Sequence, residues 1–85
     1  NVFSEIHQAK GRADLMIETN KRRIVFEFKY AQNETEAKIK LNEAVEQIKT
    51  RDYGNNLPKK AELLRIAAVF NADPKVRAFT LSQQV

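Results

Sequence analysis

Cysteine and tryptophan are absent from these 85 residues, and glycine and proline occur only twice each. Without cysteine there is no disulfide framework, no thiolate metal site and no cysteine nucleophile, a composition that suits the reducing cytoplasm. No apolar run reaches the roughly 18 residues that span a membrane, and the first residues carry no signal-peptide pattern. No linker, internal repeat or low-complexity tract interrupts the chain. What is present, 42% hydrophobic and 31% charged residues, belongs to one small globular domain over residues 1–85 and not to a disordered tail. Such a short chain hides only about 60% of the surface it exposes when unfolded, so its core is thin and a neighbouring segment of a longer protein can matter to it. Lys+Arg 15 against Asp+Glu 11 gives a net charge of +4, which weakly favours an anionic partner such as nucleic acid.

Hydrophobic periodicity divides the chain into two regimes. From Asn1 to Tyr30 apolar residues recur with period two in three runs, separated by Ala9-Lys10-Gly11 and by Asn20-Lys21, which predicts a three-stranded antiparallel meander. From about Asn33 to Tyr53 the period becomes helical, with Ala37, Leu41, Ala44, Val45 and Ile48 on one stripe. Asn33, three residues before Glu36, is the expected N-cap, and Gly54 the expected stop. Leu63 to Phe70 is almost continuously apolar between Pro58 and Pro74, as in a strand buried on both faces, and Val76 to Leu81 is the expected last strand. One helix for a mixed sheet leaves one sheet face partly bare.

Strand parity decides which charges of the meander can meet. Ile24, Phe26, Phe28 and Tyr30 point one way, and Val25, Glu27 and Lys29 the other. The phenylalanines are expected to pack against the helix. A two-residue loop at Asn20-Lys21 makes cross-strand partners sum to 41, which sets Asp14 opposite Glu27. A symmetric loop at Ala9-Lys10 makes partners sum to 19 and sets Glu5 opposite Asp14. Three carboxylates then form a row, and a one-residue slip would dissolve it. Opposed carboxylates roughly 5 Å apart repel by about 3 kcal/mol at an effective dielectric of 20, but by less than about 1 kcal/mol in water. A divalent cation that accepts oxygen ligands would cancel the repulsion; solvation of an ordinary exposed row is the other reading.

Several stretches resemble, in order and approximate spacing, the PD-(D/E)XK nuclease superfamily, and in particular the C-terminal nuclease-like domains of bacterial proteins carrying an AAA-ATPase-like domain. They are Ser4-Glu5, Gly11-Arg12-Ala13-Asp14-Leu15, Val25-Phe26-Glu27-Phe28-Lys29, and Ala44-Val45-Glu46-Gln47-Ile48-Lys49 followed by Tyr53. The resemblance implies an α/β, restriction-endonuclease-like fold and metal-dependent hydrolysis of nucleic acid, DNA first. It implies that Asp14 and Glu27 hold Mg²⁺ or Mn²⁺, with the Phe28 carbonyl and Glu5 as further ligands. Lys29 then orients or activates the attacking water, and Gln47 and Tyr53 border the cleft, with Gln47 joining Asp14, Glu27 and Lys29 in the catalytic set. A metal ion and an ammonium together suit the charge that develops on a phosphate under attack.

Two departures accompany the resemblance. Ala13 stands where the superfamily is named for proline, and the chain starts at or inside the first strand where the family core begins with a helix. The expectation is therefore a core lacking its first helix, as in a fragment, without the ATPase-like domain of the relatives. A catalytically inactive module that binds DNA or a protein is the alternative, and a partly bare sheet face also allows a homo-oligomer. His7 shares the parity of Glu5 but reads as a surface histidine. Lys21-Arg22-Arg23 and Lys59-Lys60 read as solvated turns that can touch phosphates.

Overall fold

The structure, a computed structural model, describes the backbone of residues 2–4 and the whole of residues 14–55 and 57–85. The elements run β1 (Val2–Ser4), β2 (Leu15–Glu18), β3 (Arg22–Ala31), α1 (Glu34–Arg51), β4 (Glu62–Asn71) and β5 (Ala78–Gln84). They form one five-stranded mixed sheet in the order β1-β2-β3-β4-β5, with α1 bridging the parallel pair β3 and β4. This is the one-helix mixed sheet that the sequence pattern predicts, and the α/β, restriction-endonuclease-like architecture that the resemblance implies. No helix among the described residues is long and apolar enough to cross a membrane.

The β2–β3 hairpin has the register set by its two-residue loop. Leu15↔Phe26, Met16↔Val25, Ile17↔Ile24 and Glu18↔Arg23 all sum to 41, and Thr19 N donates to Arg22 O at 2.8 Å to close the turn. Between β1 and β2 the pairs Val2↔Glu18, Phe3↔Ile17 and Ser4↔Met16 sum to 20, not 19. This one-residue difference removes the basis for setting Glu5 opposite Asp14. Glu5 itself lies outside the described residues, as do His7, Gly11, Arg12 and Ala13.

Helix α1 begins where its cap predicts. Asn33 Oδ1 accepts from Glu36 N at 2.8 Å, and Glu36 Oε1 accepts from Gln32 N at 2.9 Å, so two otherwise unpaired donors are satisfied. Asn33→Ala is expected to cost about 1 kcal/mol in urea denaturation; no loss would mean that packing alone fixes the helix start. At the other end the helix stops two residues before Gly54, at Asp52, whose left-handed φ of 50° turns its N–H back to the carbonyls of Ile48 and Lys49.

Ala37, Ala44, Val45 and Ile48 of α1 are buried, and Ala44, Val45 and Ile48 close on Met16, Val25, Tyr53 and Ala67. The helix thus covers the sheet face of Val25 and Glu27, and Phe26 and Phe28 lie on the opposite face. The reason is that a parallel β-α-β connection takes its side from the handedness of the crossover, not from the bulk of the side chains. On the far face the rings pack on one another instead: Phe26 stacks on Phe28 at 5.6 Å, and Phe79 meets Phe28 at 5.7 Å and Phe70 at 5.3 Å. Accordingly β4 is well buried only at its centre and end, at Ala67, Ala68, Val69 and Asn71. The last strand starts at Ala78, later than its apolar pattern suggests. Val76 and Arg77 are used in a turn whose amides donate to Asp73 O at 2.8 and 3.0 Å, with Arg77 at φ 43°.

Candidate active site

The third strand delivers Glu27 and Lys29 to the helix-covered face two residues apart. Glu27 is only 3% exposed. Its Oε2 lies 3.6 Å from Lys29 Nζ, and its Oε1 is buried without a hydrogen-bond partner among the described residues. Burial first, and then the charge of Asp14, raise its pKa above the usual 4.5, while Lys29 and the Tyr53 hydroxyl pull it back. Glu27, at the end of the expected row, is therefore not a solvated surface acid: it sits under the helix.

Asp14 is exposed and precedes β2 by one residue. Its amide donates to Phe26 O at 3.0 Å, and its Oδ2 accepts from Phe28 N at 2.8 Å. The aspartate is thus clipped to the strand carrying Glu27 by its backbone and its side chain. In place of a regular ladder pair, a strand-end contact brings the two acids together. Phe28 takes part through its amide.

The remaining side chains come from the helix and the turn after it. Lys29 Nζ donates to Gln47 Oε1 at 2.9 Å, and Gln47 Nε2 donates to the Tyr53 hydroxyl at 2.9 Å. Tyr53 is 1% exposed. Asp14, Glu27, Lys29, Gln47 and Tyr53 are therefore joined across two strands, the helix and its exit turn. Among the described residues no group of three His, Cys, Asp or Glu converges on one point, so the carboxylate ligands available here are Asp14 and Glu27. Their chemistry fits a hard divalent cation: two close carboxylates whose repulsion it would cancel, and a buried carboxylate oxygen with no donor of its own.

The acid pair, the lysine and the helix glutamine occupy the positions of the motif read from the sequence, and the family model for the PD-(D/E)XK nuclease superfamily matches residues 1–80. The chain belongs to the PD-(D/E)XK nuclease superfamily. No curated protein and no solved structure matches it. Nuclease-like activity, divalent-metal use and nucleic-acid binding are general properties of this superfamily.

Two residues read as solvated are otherwise engaged. Arg22 pairs with Glu62 at 2.8 Å on the surface, and Arg23 is buried, with Nη2 2.8 Å from Glu18 Oε2. The signal for Arg23 was available: it shares the parity of Val25 and Glu27, and the sum of 41 places it opposite Glu18. Lys60 Nζ stands 4.0 Å from the same Glu18 oxygen, whereas Lys59 is exposed.

Proposed function

We propose that the chain is a Mg²⁺- or Mn²⁺-dependent nuclease that hydrolyses phosphodiester bonds of nucleic acid, DNA in the first instance. The observation that supports it most is the buried Glu27 Oε1 beside Asp14, without a partner among the described residues, an arrangement costly to a folded chain unless something positive completes it. Asp14 and Glu27 would hold the ion, with the Phe28 carbonyl as a further ligand. When bound, the ion supplies Lewis-acid charge at the scissile phosphate.

The chain's own residues supply the rest. Asp14 is fixed by the Phe28 amide, which donates to its Oδ2. Lys29 has three donors and no lone pair, so it serves as a charge and proton-bearing group beside the acids and not as a ligand. Its bond to Gln47 holds the ammonium where it can stabilise a phosphoryl oxygen as negative charge develops.

The test is a Mn²⁺ calorimetric titration of the purified chain, followed by cleavage assays on plasmid and single-stranded substrates. Asp14→Asn and Glu27→Gln are each expected to weaken Mn²⁺ at least about tenfold, the lower end of what disturbing a ligand environment costs. Unchanged affinity in both would place the ligands elsewhere. A chain that shifts DNA in a salt-dependent way but cuts under no metal would be a binding module instead.

A further inference from the structure

We infer that Arg23 is a positioning residue for this site, acting through the turn that carries Tyr53; the inference rests on the nuclease reading above. Arg23 is 3% exposed and faces the helix side of β3. Each of its three nitrogens donates: Nε to Glu18 Oε2 at 2.8 Å, Nη1 to Gly54 O at 2.8 Å and Nη2 to Pro58 O at 2.7 Å. Two of these three acceptors are backbone carbonyls after α1, so the guanidinium fixes the path of the chain there as well as balancing a carboxylate.

Gly54, whose carbonyl Arg23 holds, directly follows Tyr53. It has φ +88°, and a Cβ there would fall 2.7 Å from Leu63 Cδ1, so the turn runs close against β4. On the other side of Tyr53, Arg65 Nη1 donates to Asp52 Oδ1 at 2.9 Å. Two arginines on neighbouring strands therefore grip the turn before and after the tyrosine.

The grip reaches the site through one amide. Lys29, which has only donors, takes Gln47 Oε1, and Nε2 donates to the Tyr53 hydroxyl, so the amide is pinned at both ends. A shift of Tyr53 would free the amide to rotate, and Lys29 would lose the acceptor that aims it. Lysine in place of Arg23 keeps the charge opposite Glu18 but cannot bridge both carbonyls with a rigid fork.

The test is a double-mutant cycle of Arg23→Lys and Tyr53→Phe on the full chain, with Mg²⁺-dependent cleavage of labelled DNA as the assay. Arg23→Lys should lower kcat about tenfold or more, while KM and Mn²⁺ affinity stay within about twofold. Combined with Tyr53→Phe it should add almost nothing, because both changes act on the same amide. The side-chain amide NMR signals of Gln47 should also move in Arg23→Lys without substrate. Additive losses, or unmoved Gln47 signals in a folded Arg23→Lys chain, would overturn the inference. If that variant does not fold, Gly54→Ala displaces the same turn from the Leu63 side, and the Gln47 signals must move there or the inference fails. A parent chain that cleaves nothing would remove the nuclease reading, and the Gln47 signals would still decide whether Arg23 and the amide are coupled.

Discussion

Glu27→Gln is expected to make the metal-free chain more stable and inactive at once. The carboxylate is 3% exposed, has one oxygen without a partner among the described residues and stands beside Asp14, so its ionised form is penalised by folding. Below the ordinary carboxyl value of 4.5 it is protonated both folded and unfolded, and the penalty is nil. As pH rises from there through the raised folded value, the unfolded chain ionises first, and the native state loses stability relative to it. An amide of the same shape has no charge to desolvate. At about pH 8 the variant should gain about 1 kcal/mol or more, a Tm higher by about 4–8 °C for a domain of this size. Below about pH 4 the two chains should melt together. Cleavage should vanish, because the amide is a poor ligand for Mg²⁺. Thermal melts in chelator across pH, paired with a plasmid assay, check both halves. A variant that melts earlier than the parent at about pH 8 would show that the carboxylate is satisfied without a cation.

Lys29→Ala should separate chemistry from metal binding. Its ammonium is 3.6 Å from Glu27 Oε2 and bonded to Gln47 Oε1, so it meets the acid pair at Glu27. Removing a positive charge there leaves Mn²⁺ affinity equal or slightly higher, whereas cleavage should fall by at least about 10²-fold, the usual loss for a proton-transfer or charge-stabilising group. Calorimetry and single-turnover cleavage on the same preparation make the comparison. Activity equal to the parent's would trace the cleavage to a contaminant, and lost Mn²⁺ binding would make Lys29 a structural partner of Glu27.

The parts of this site that were legible in the sequence are those fixed by short-range rules. The two-residue loop at Asn20-Lys21 determines the β2–β3 register, and parity then puts Glu27 and Lys29 on one face with Arg23 and Val25. The Asn33 cap likewise needs only its own four residues. What depends on long-range geometry was not legible. Alternation tells that Phe26 and Glu27 point apart, but the side on which the crossover lays the helix is settled by chain handedness, so the helix covers Glu27 and not, as the pattern suggests, the rings. The β1–β2 register differs by one from the symmetric loop expected at Ala9-Lys10. Asp14 escaped a purely local rule as well, since its amide bonds Phe26 O at the end of the ladder and its side chain bonds Phe28 N.

The two tyrosines divide between the sheet's faces in a way that gives the protein an intrinsic optical probe. There is no tryptophan to dominate the near-ultraviolet spectrum. Tyr30 is 72% exposed on the ring-lined face, and Tyr53 is 1% exposed against Gln47. A soluble quencher therefore reaches one phenol and not the other, and the dichroism of the shielded phenol reads the hydrogen-bonded chain leading to Lys29 and Glu27. Adding a divalent ion to the unlabelled chain should alter that shielded signal alone, so occupancy of the acid pair can be followed without any fluorophore, substitution or substrate.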